Sequence, residues 1–349
     1  MSIKRGMRKI FIAILLTSCG DNSSLTPEDP LNISVSLTAS SDAVEVESSV
    51  ILTWSSSFST SCSASGSWSG SKEISGTQSV TLRAGGSNIF VLTCYGSGAN
   101  SGNASTTVAG LRYFDGTIFD GYIRGAEVFI DTDNSLSIGK TEESVVSDNQ
   151  GMFTRLLFTN GALVSKGGFD LDTGAELSNL FLVHKLEGFE KSKLVSPFTT
   201  LIAYMDEPSN LNALIGIDAS IDLLRTDPIP NLGIEIYNNM YEKGNQLTIL
   251  AYTLQNLIND TESFTEIYFR AIADVLEESY LLSKAIVELE DPEFISKVIN
   301  RVEMTREKVF SVELKLNLNT VLSSVIPTLQ VYADKNITSA VQRFAFDTM

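Results

Sequence analysis

The chain has 349 residues, 43% of them apolar, which is enough for two or three domains with cores of their own. Its 42 acidic side chains against 25 basic ones give a net charge of −17, a surface that repels phosphate backbones and anionic headgroups. That balance excludes nucleic acid as a partner and excludes a basic membrane patch. A single histidine, His184, excludes multi-histidine metal centres within the chain.

Lys4, Arg5, Arg8 and Lys9 precede an apolar run from Ile10 to Leu16, and Leu16-Thr17-Ser18-Cys19 closes it. The run is too short to cross a hydrocarbon core of roughly 30 Å as a helix, so it reads as a removed signal peptide. An aliphatic residue, two small residues and a cysteine resemble the lipobox of bacterial lipoproteins. The resemblance implies a signal over residues 1–18 and a covalent lipid on Cys19, the first residue of the mature chain. An ordinary cleaved signal with an incidental cysteine, or an uncleaved anchor, are the competing readings. Gly20 stands where an aspartate would retain such a protein in the inner membrane, so the resemblance favours the outer membrane. Loss of four basic residues brings the mature charge to about −21. With Cys19 assigned to lipid, Cys62 and Cys94 remain available for one disulfide in an oxidising compartment, and no thiol is left for metal or catalysis.

Residues 19–31, polar with Pro27 and Pro30, read as a tether. Over residues 32–109 a Ser/Thr/Gly-rich stretch carries period-2 runs: Ile33, Val35, Leu37; Val50, Leu52, Trp54; Phe90, Leu92, Cys94. Such runs between turn residues predict an antiparallel sandwich. The ordered segments Val50–Ser56, Ser61–Gly70, Gly76–Thr81 and Phe90–Cys94 resemble a bacterial immunoglobulin-like domain of secreted and surface proteins, over about 80 residues. The resemblance implies a bridge between Cys62 and Cys94, a core position for Trp54, and a place for Trp68 in the domain's own pattern; an exposed Trp68 at a sandwich tip is the alternative. Such domains serve as spacers or adhesive modules, and the fold names no ligand.

Residues 110–192 form a second β-rich block. Phe114 to Asp131 reads as two strands around a Gly-containing turn, and a further strand follows the Asp148-Asn149-Gln150-Gly151 turn, over Met152 to Phe158. Gly121 to Ile130, the acidic loop after it and the turn before Phe153 resemble the prealbumin-like (transthyretin-like) β-sandwich repeats of bacterial surface proteins, over about 45 residues. The later segments Gly167–Gly174, Val195–Leu201 and Leu214–Ile217 look like pieces that follow such a sandwich in large exported proteins, and no activity comes with them.

From Pro197 the apolar period becomes helical, as in Leu247, Leu250, Ala251, Leu254 and in Ile267, Tyr268, Ala271, Ile272, Val275. Asp260-Thr261-Glu262-Ser263 and Asp291-Pro292-Glu293 read as helix starts. Leu316 to Phe346, interrupted by Pro327, reads as one kinked helix or two. The expected architecture is therefore multidomain: an all-β N-terminal half with an Ig-like sandwich and a second small β-sandwich, then an α-helical domain over residues 193–349.

The segment Asp131 to Glu142 places oxygen-bearing side chains at positions 1, 3, 5, 7 and 12 (Asp131, Asp133, Ser135, Ser137, Glu142), the spacing of a calcium loop. Leu136 stands at position 6, where such loops turn on glycine, and Lys140 adds an opposing charge. These departures weigh toward a solvated inter-strand loop over a Ca²⁺ site; Asp148 is a candidate to complete the set. Asp170 and Asp172 alternate on one face if extended, or cap a turn. His184, in the run Leu180 to Leu186, reads as a half-buried structural residue rather than a general base, and Tyr237, Tyr241, Tyr268 and Phe269 read as core. No Gly-x-Ser-x-Gly elbow, P-loop or dinucleotide fingerprint occurs, and no catalytic residue is assigned.

The functional expectation is an exported, lipid-anchored cell-envelope protein, a non-catalytic binding or adhesion module whose partner is another envelope protein or an extracellular polymer. Two alternatives stand beside it: a structural spacer or assembly component, and a carboxylate- or metal-dependent hydrolase with its site in the helical domain.

Overall fold

The structure is a computed structural model that describes residues 32–97, 100–172, 174–257, 265–283, 285–307 and 309–328. The signal, Cys19, the tether, the expected helix start at Asp260 and the chain beyond Thr328 lie outside the described residues. Two compact units emerge among the described residues: the first comprises residues 32–42 with Ser49–Val80 and Ser87–Val108, the second Ala43–Ser48, Thr81–Gly86 and the described residues from Ala109 onward.

The first unit is a β-sandwich. Its strands are β1 (Ser34–Ala39), β3 (Ser49–Ser57), β4 (Ser61–Gly66), β5 (Gly70–Lys72), β6 (Ser75–Thr81), β7 (Gly86–Tyr95) and β8 (Ser101–Leu111), while β2 (Ala43–Glu45), which falls in the second unit, pairs with the end of β8, Ala109 to Leu111. They form sheets of order β1-β3-β6 and β2-β8-β7-β4-β5. Alternation decides which side chains are inside, since successive residues of a strand face opposite sides: Val50, Leu52 and Trp54 of β3 and Phe90, Leu92 and Cys94 of β7 are buried, as their period predicts. Cys62 and Cys94 are bonded. They sit directly opposite in the β4–β7 register, so the bridge staples neighbouring strands of one sheet. Trp54 and Trp68 meet edge to face at 5.4 Å, and each indole N–H finds a backbone carbonyl, Glu73 at 2.9 Å and Val91 at 3.0 Å. Trp68 is only 6% exposed, which goes against the alternative of an exposed contact at the sandwich tip: a ring of that size with a satisfied N–H is worth more inside.

The second unit opens with another sandwich. Its strands are β9 (Tyr113–Ile118), β10 (Ile123–Arg124), β11 (Glu127–Asp131), β12 (Ser144–Val146), β13 (Met152–Leu157), β14 (Ala162–Lys166), β15 (Phe169–Asp170), β16 (Phe181–Lys185) and β17 (Ser192–Val195). Sheet orders are β12-β11-β14-β16, β13-β9-β17 and a small β10-β15 pair. The four-stranded sheet is buried on both faces. Val128, Ile130, Leu163 and Leu182 join the main core with Phe114, Phe153 and Leu194, while Phe129, Val164, Phe181 and Val183 meet Leu136 and Ala203 on the other face.

β17 runs directly into α1 (Pro197–Tyr204). Ser196 caps it with a reciprocal pair of bonds, Thr199 N–H to Ser196 Oγ at 3.2 Å and Ser196 N–H to Thr199 Oγ1 at 2.9 Å. The same threonines close the sheet. β16 is an edge strand, and Thr199 Oγ1 donates to Val183 O at 2.8 Å while Val183 N–H donates to Thr200 Oγ1 at 2.9 Å. An exposed edge invites pairing with other chains; here two hydroxyls of a packed helix occupy it.

The remaining helices are α2 (Leu211–Ile215), α3 (Glu235–Leu257), α4 (Thr265–Ser283), α5 (Pro292–Arg306) and α6 (Val312–Thr328). Asp291 caps α5 through Glu293 N–H, as its Asp-Pro-Glu start predicts, and Pro327 falls one residue before α6 ends. Tyr241, Tyr268 and Phe269 are buried core residues and Tyr237 packs at its margin. One continuous core holds Phe114 and Leu194 of the sandwich together with Phe198, Leu250, Tyr268 and Ile295 of the helices. Packing therefore has no break at residues 192/193, where the sequence reading divides the β-domain from the helical one. No helix among the described residues is long and apolar enough to cross a membrane.

Candidate functional site

The acidic loop leaves the last residue of β11, Asp131, and folds onto the sheet through Leu136. Asp131, 1% exposed, organises it: Oδ1 accepts Asp133 N–H at 3.3 Å and Ser135 N–H at 3.1 Å, and Oδ2 accepts Leu136 N–H at 2.9 Å. Asp133 Oδ1 also accepts Ser135 N–H, at 3.1 Å. Glu142 reaches back across the loop to Thr132 N–H and Oγ1, both 2.7 Å, and to Gly139 N–H at 2.8 Å. Hydrogen bonds from Ser135 hold the Asp133 carboxyl below its ordinary pKa, and those from Gly139 and Thr132 do the same for Glu142, so both are anionic at neutral pH.

Asp131, Asp133 and Glu142 offer oxygens within 4.8 Å of one another, a donor set suited to a hard cation. Of the other expected ligands, Ser135 spends its hydroxyl on Ser137, donating to Ser137 O at 2.9 Å and accepting its N–H at 3.2 Å. Asp148 is not drawn in; its carboxylate caps its own turn at Gln150 and Met152. Leu136 makes the position-6 turn without glycine, at φ 52°, and its buried side chain is the compensation.

His184, in β16, lies at a cleft of about 460 Å³ with Lys193, Glu190, Arg225 and Thr199. Its Nδ1 bonds Leu194 O at 2.5 Å, which fixes the proton on that nitrogen, since a carbonyl only accepts. Burial lowers the imidazole's pKa and the nearby Lys193 and Arg225 charges push the same way, so the ring is neutral. Glu190 ties Lys193 (2.9 Å) to Arg225 (2.6 Å), and those two cations pull its carboxyl down to about 2. Thr199, the hydroxyl in the same cleft, donates to the carbonyls of Val183 and Ser196. His184, Glu190, Lys193, Arg225 and Thr199 are thus each engaged, and the histidine is a strand-to-strand strut.

A third polar cluster was only half visible in the sequence. Asp170 and Asp172 do form an Asx turn, Asp172 N–H to Asp170 Oδ1 at 2.8 Å, yet Asp170 is buried, Asp172 half-buried, and the turn faces a further acid, Asp120, in the turn after β9. Thr248 Oγ1 donates to Asp120 Oδ1 at 2.9 Å and Tyr241 OH to Asp172 Oδ2 at 2.8 Å. Asp120 is 5% exposed, and burial, reinforced by the charges of Asp170 and Asp172, pushes its pKa well above the carboxylate range. Separations of 128 and 69 residues explain why no local pattern announces these pairs.

No protein-family model matches this sequence, and no curated protein matches it. Among solved structures, the major pilin subunit BcpA of Bacillus cereus is similar over 47% of this chain and 69% of that one, at 9% identity and a TM-score of 0.20, too loose a superposition to carry an argument about function.

Proposed function

We infer that this chain is a lipid-anchored protein of the bacterial cell envelope, held at the membrane by a lipid on Cys19 and acting as a non-catalytic binding or adhesion module. The observation that carries the reading is the Cys62–Cys94 bridge inside a β-sandwich that follows a lipobox-like N-terminus. A disulfide in a domain of this size belongs to an oxidising compartment, which agrees with export. A Ca²⁺ ion on Asp131, Asp133 and Glu142, with Ser135 and Ser137 beside them, is part of the proposal; its work is to stiffen the loop, since these carboxylates already accept the loop's own N–H groups. The partner is another envelope protein or an extracellular polymer, and the acidic surface excludes nucleic acid.

Lipid attachment is tested with the full-length chain in a bacterial host, by detergent-phase partitioning and the mass of the N-terminal peptide, with Cys19→Ser as control. Wild type should partition with detergent and carry a diacylated Cys19, and the variant should not. An unmodified Cys19, or equal partitioning of the two, overturns the anchoring. Calorimetric titration of Ca²⁺ into wild type and an Asp131→Ala, Asp133→Ala double variant checks the loop: heat from wild type alone supports the ion, and no heat from either removes it.

A further inference from the structure

Asp120 is the least accounted-for group in the second unit. Its carboxylate is buried, it accepts a hydrogen bond from Thr248, and the charges that bear on it most strongly are those of two more carboxylates, Asp170 and Asp172. An ionised carboxylate in such a place is strongly unfavourable unless something positive joins it. Gly121 shows how tightly the chain is drawn in here: at φ +81°, the position of a Cβ would stand 2.6 Å from Asp170 Oδ1.

A second observation comes from the helix side. Tyr241, Asn245 and Thr248 recur at i, i+4 and i+7, one face of α3, and Tyr241 and Thr248 both bond to this cluster. Between them, Asn245 lies beside the Tyr241 hydroxyl. It is 1% exposed; its amide nitrogen is turned to the Tyr241 hydroxyl, and its oxygen has no hydrogen-bond partner. A buried amide with its oxygen unmet, next to three acids, points to a ligand that offers charge to the carboxylates and coordination to the amide oxygen.

We propose that Asp120, Asp170 and Asp172, with Asn245 and Thr248 of α3, bind a partly hydrated divalent cation that fastens α3 to the second sandwich. A proton on Asp120 would relieve its charge but leave the Asn245 oxygen unmet; a cation with its own waters serves both, reaching the amide oxygen directly or through a water. The three acids do not converge as those of the 131–142 loop do, the one such group among the described residues. An ion here therefore keeps part of its water shell and takes one or two carboxylates, the habit of Mg²⁺ more than of Ca²⁺.

The test uses the full-length protein in an Asp133→Ala, Glu142→Gln background, which removes two of the loop's three carboxylate donors, stripped with chelator and titrated calorimetrically with MgCl₂ and with CaCl₂. Saturable one-site Mg²⁺ binding is expected, with a rise in the melting temperature of the helical signal. Adding Asp120→Asn or Asn245→Ala should weaken it at least tenfold. Absence of saturable binding by either ion in the parent background overturns the site, whatever the variants do. So does binding that survives both substitutions. If Asp120→Asn merely raises the melting temperature of the stripped protein while the parent ignores both ions, a proton alone neutralises Asp120 and the proposal fails.

Discussion

The carboxylate of Asp131 accepts the backbone N–H of Leu136 at 2.9 Å, and Leu136, at φ 52°, plugs its side chain into the pocket formed by Phe129, Val164 and Val183. A left-handed leucine costs about 1–2 kcal/mol that a glycine would not incur. Burial of the side chain contributes roughly 1.5–3 kcal/mol in return. The ordinary order of substitutions should therefore invert. Leu136→Ala keeps the strain and loses the packing, and should destabilise the second unit by about 2–4 kcal/mol; Leu136→Gly loses the same packing but relieves the strain, and should be about 1 kcal/mol milder. Urea denaturation followed by far-UV circular dichroism measures both. Alanine proving the milder of the two would sink this account of the loop.

Both tryptophans of the chain, Trp54 and Trp68, lie in the first unit, so indole fluorescence reports on that unit alone. The bridge closes a 32-residue separation. In the chain-entropy model a loop of about that size stabilises by roughly 3–4 kcal/mol. Replacing both Cys62 and Cys94 by serine should lower the fluorescence-detected midpoint accordingly and leave the helical midpoint where it is. A shift of both midpoints together would show that the bridge does more than staple β4 to β7.

Thr199 and Thr200 make a sharper test of edge protection. Thr199→Val removes the side-chain half of the reciprocal cap at Ser196 and the bond to Val183 O, a loss of about 2 kcal/mol at typical net values. Thr200→Val leaves the buried Val183 N–H without its partner, at a cost of about 1–3 kcal/mol. The double variant should in addition associate at high concentration, because β16 then presents a bare edge. Sedimentation velocity of the double variant measures this; a strictly monomeric double variant at matched concentration contradicts it.

How much of this was legible depended on how many faces each element buries. Val50, Leu52 and Trp54 write a period of two because β3 buries one face, and the sandwich follows from it. β11 buries Val128 and Ile130 on one side and Phe129 on the other, so its apolar run says strand but not what covers it. Leu136 read as a fault in a calcium loop because the pattern scores each position by ligand chemistry alone, and the sheet face that claims it lies outside the loop. The change to a helical period at Pro197 is legible along the chain, whereas the bond from Val183 to Thr200 depends on where α1 lands. Asp120 carried no signal at all, since Asp170, Asp172 and α3 reach it only through tertiary folding.

His184 and Asp120 should give pH dependences of opposite sign, both in the second unit. Burial holds the His184 pKa below its unfolded value of 6.5, with Lys193 and Arg225 adding to the shift and the bond to the Leu194 carbonyl, then Glu190, opposing it. As pH falls through 6.5 the unfolded chain takes a proton that the folded chain refuses, so stability drops until the folded pKa is reached, by up to about 1.4 kcal/mol per pH unit. Asp120 is raised, so the folded chain keeps a proton that the unfolded chain releases above 3.8, and stability drops as pH rises toward the folded pKa. Wild type minus His184→Gln, followed by far-UV circular dichroism in urea with chelator present, should therefore lose stability from pH 7 down to pH 5. Wild type minus Asp120→Asn should lose it in the other direction, upward from pH 4. A flat difference for His184 means that its Leu194 bond is as well made by the imidazolium as by the neutral ring. A flat difference for Asp120 under chelation means that burial does not disfavour its charge, and the physical basis for a cation beside it disappears.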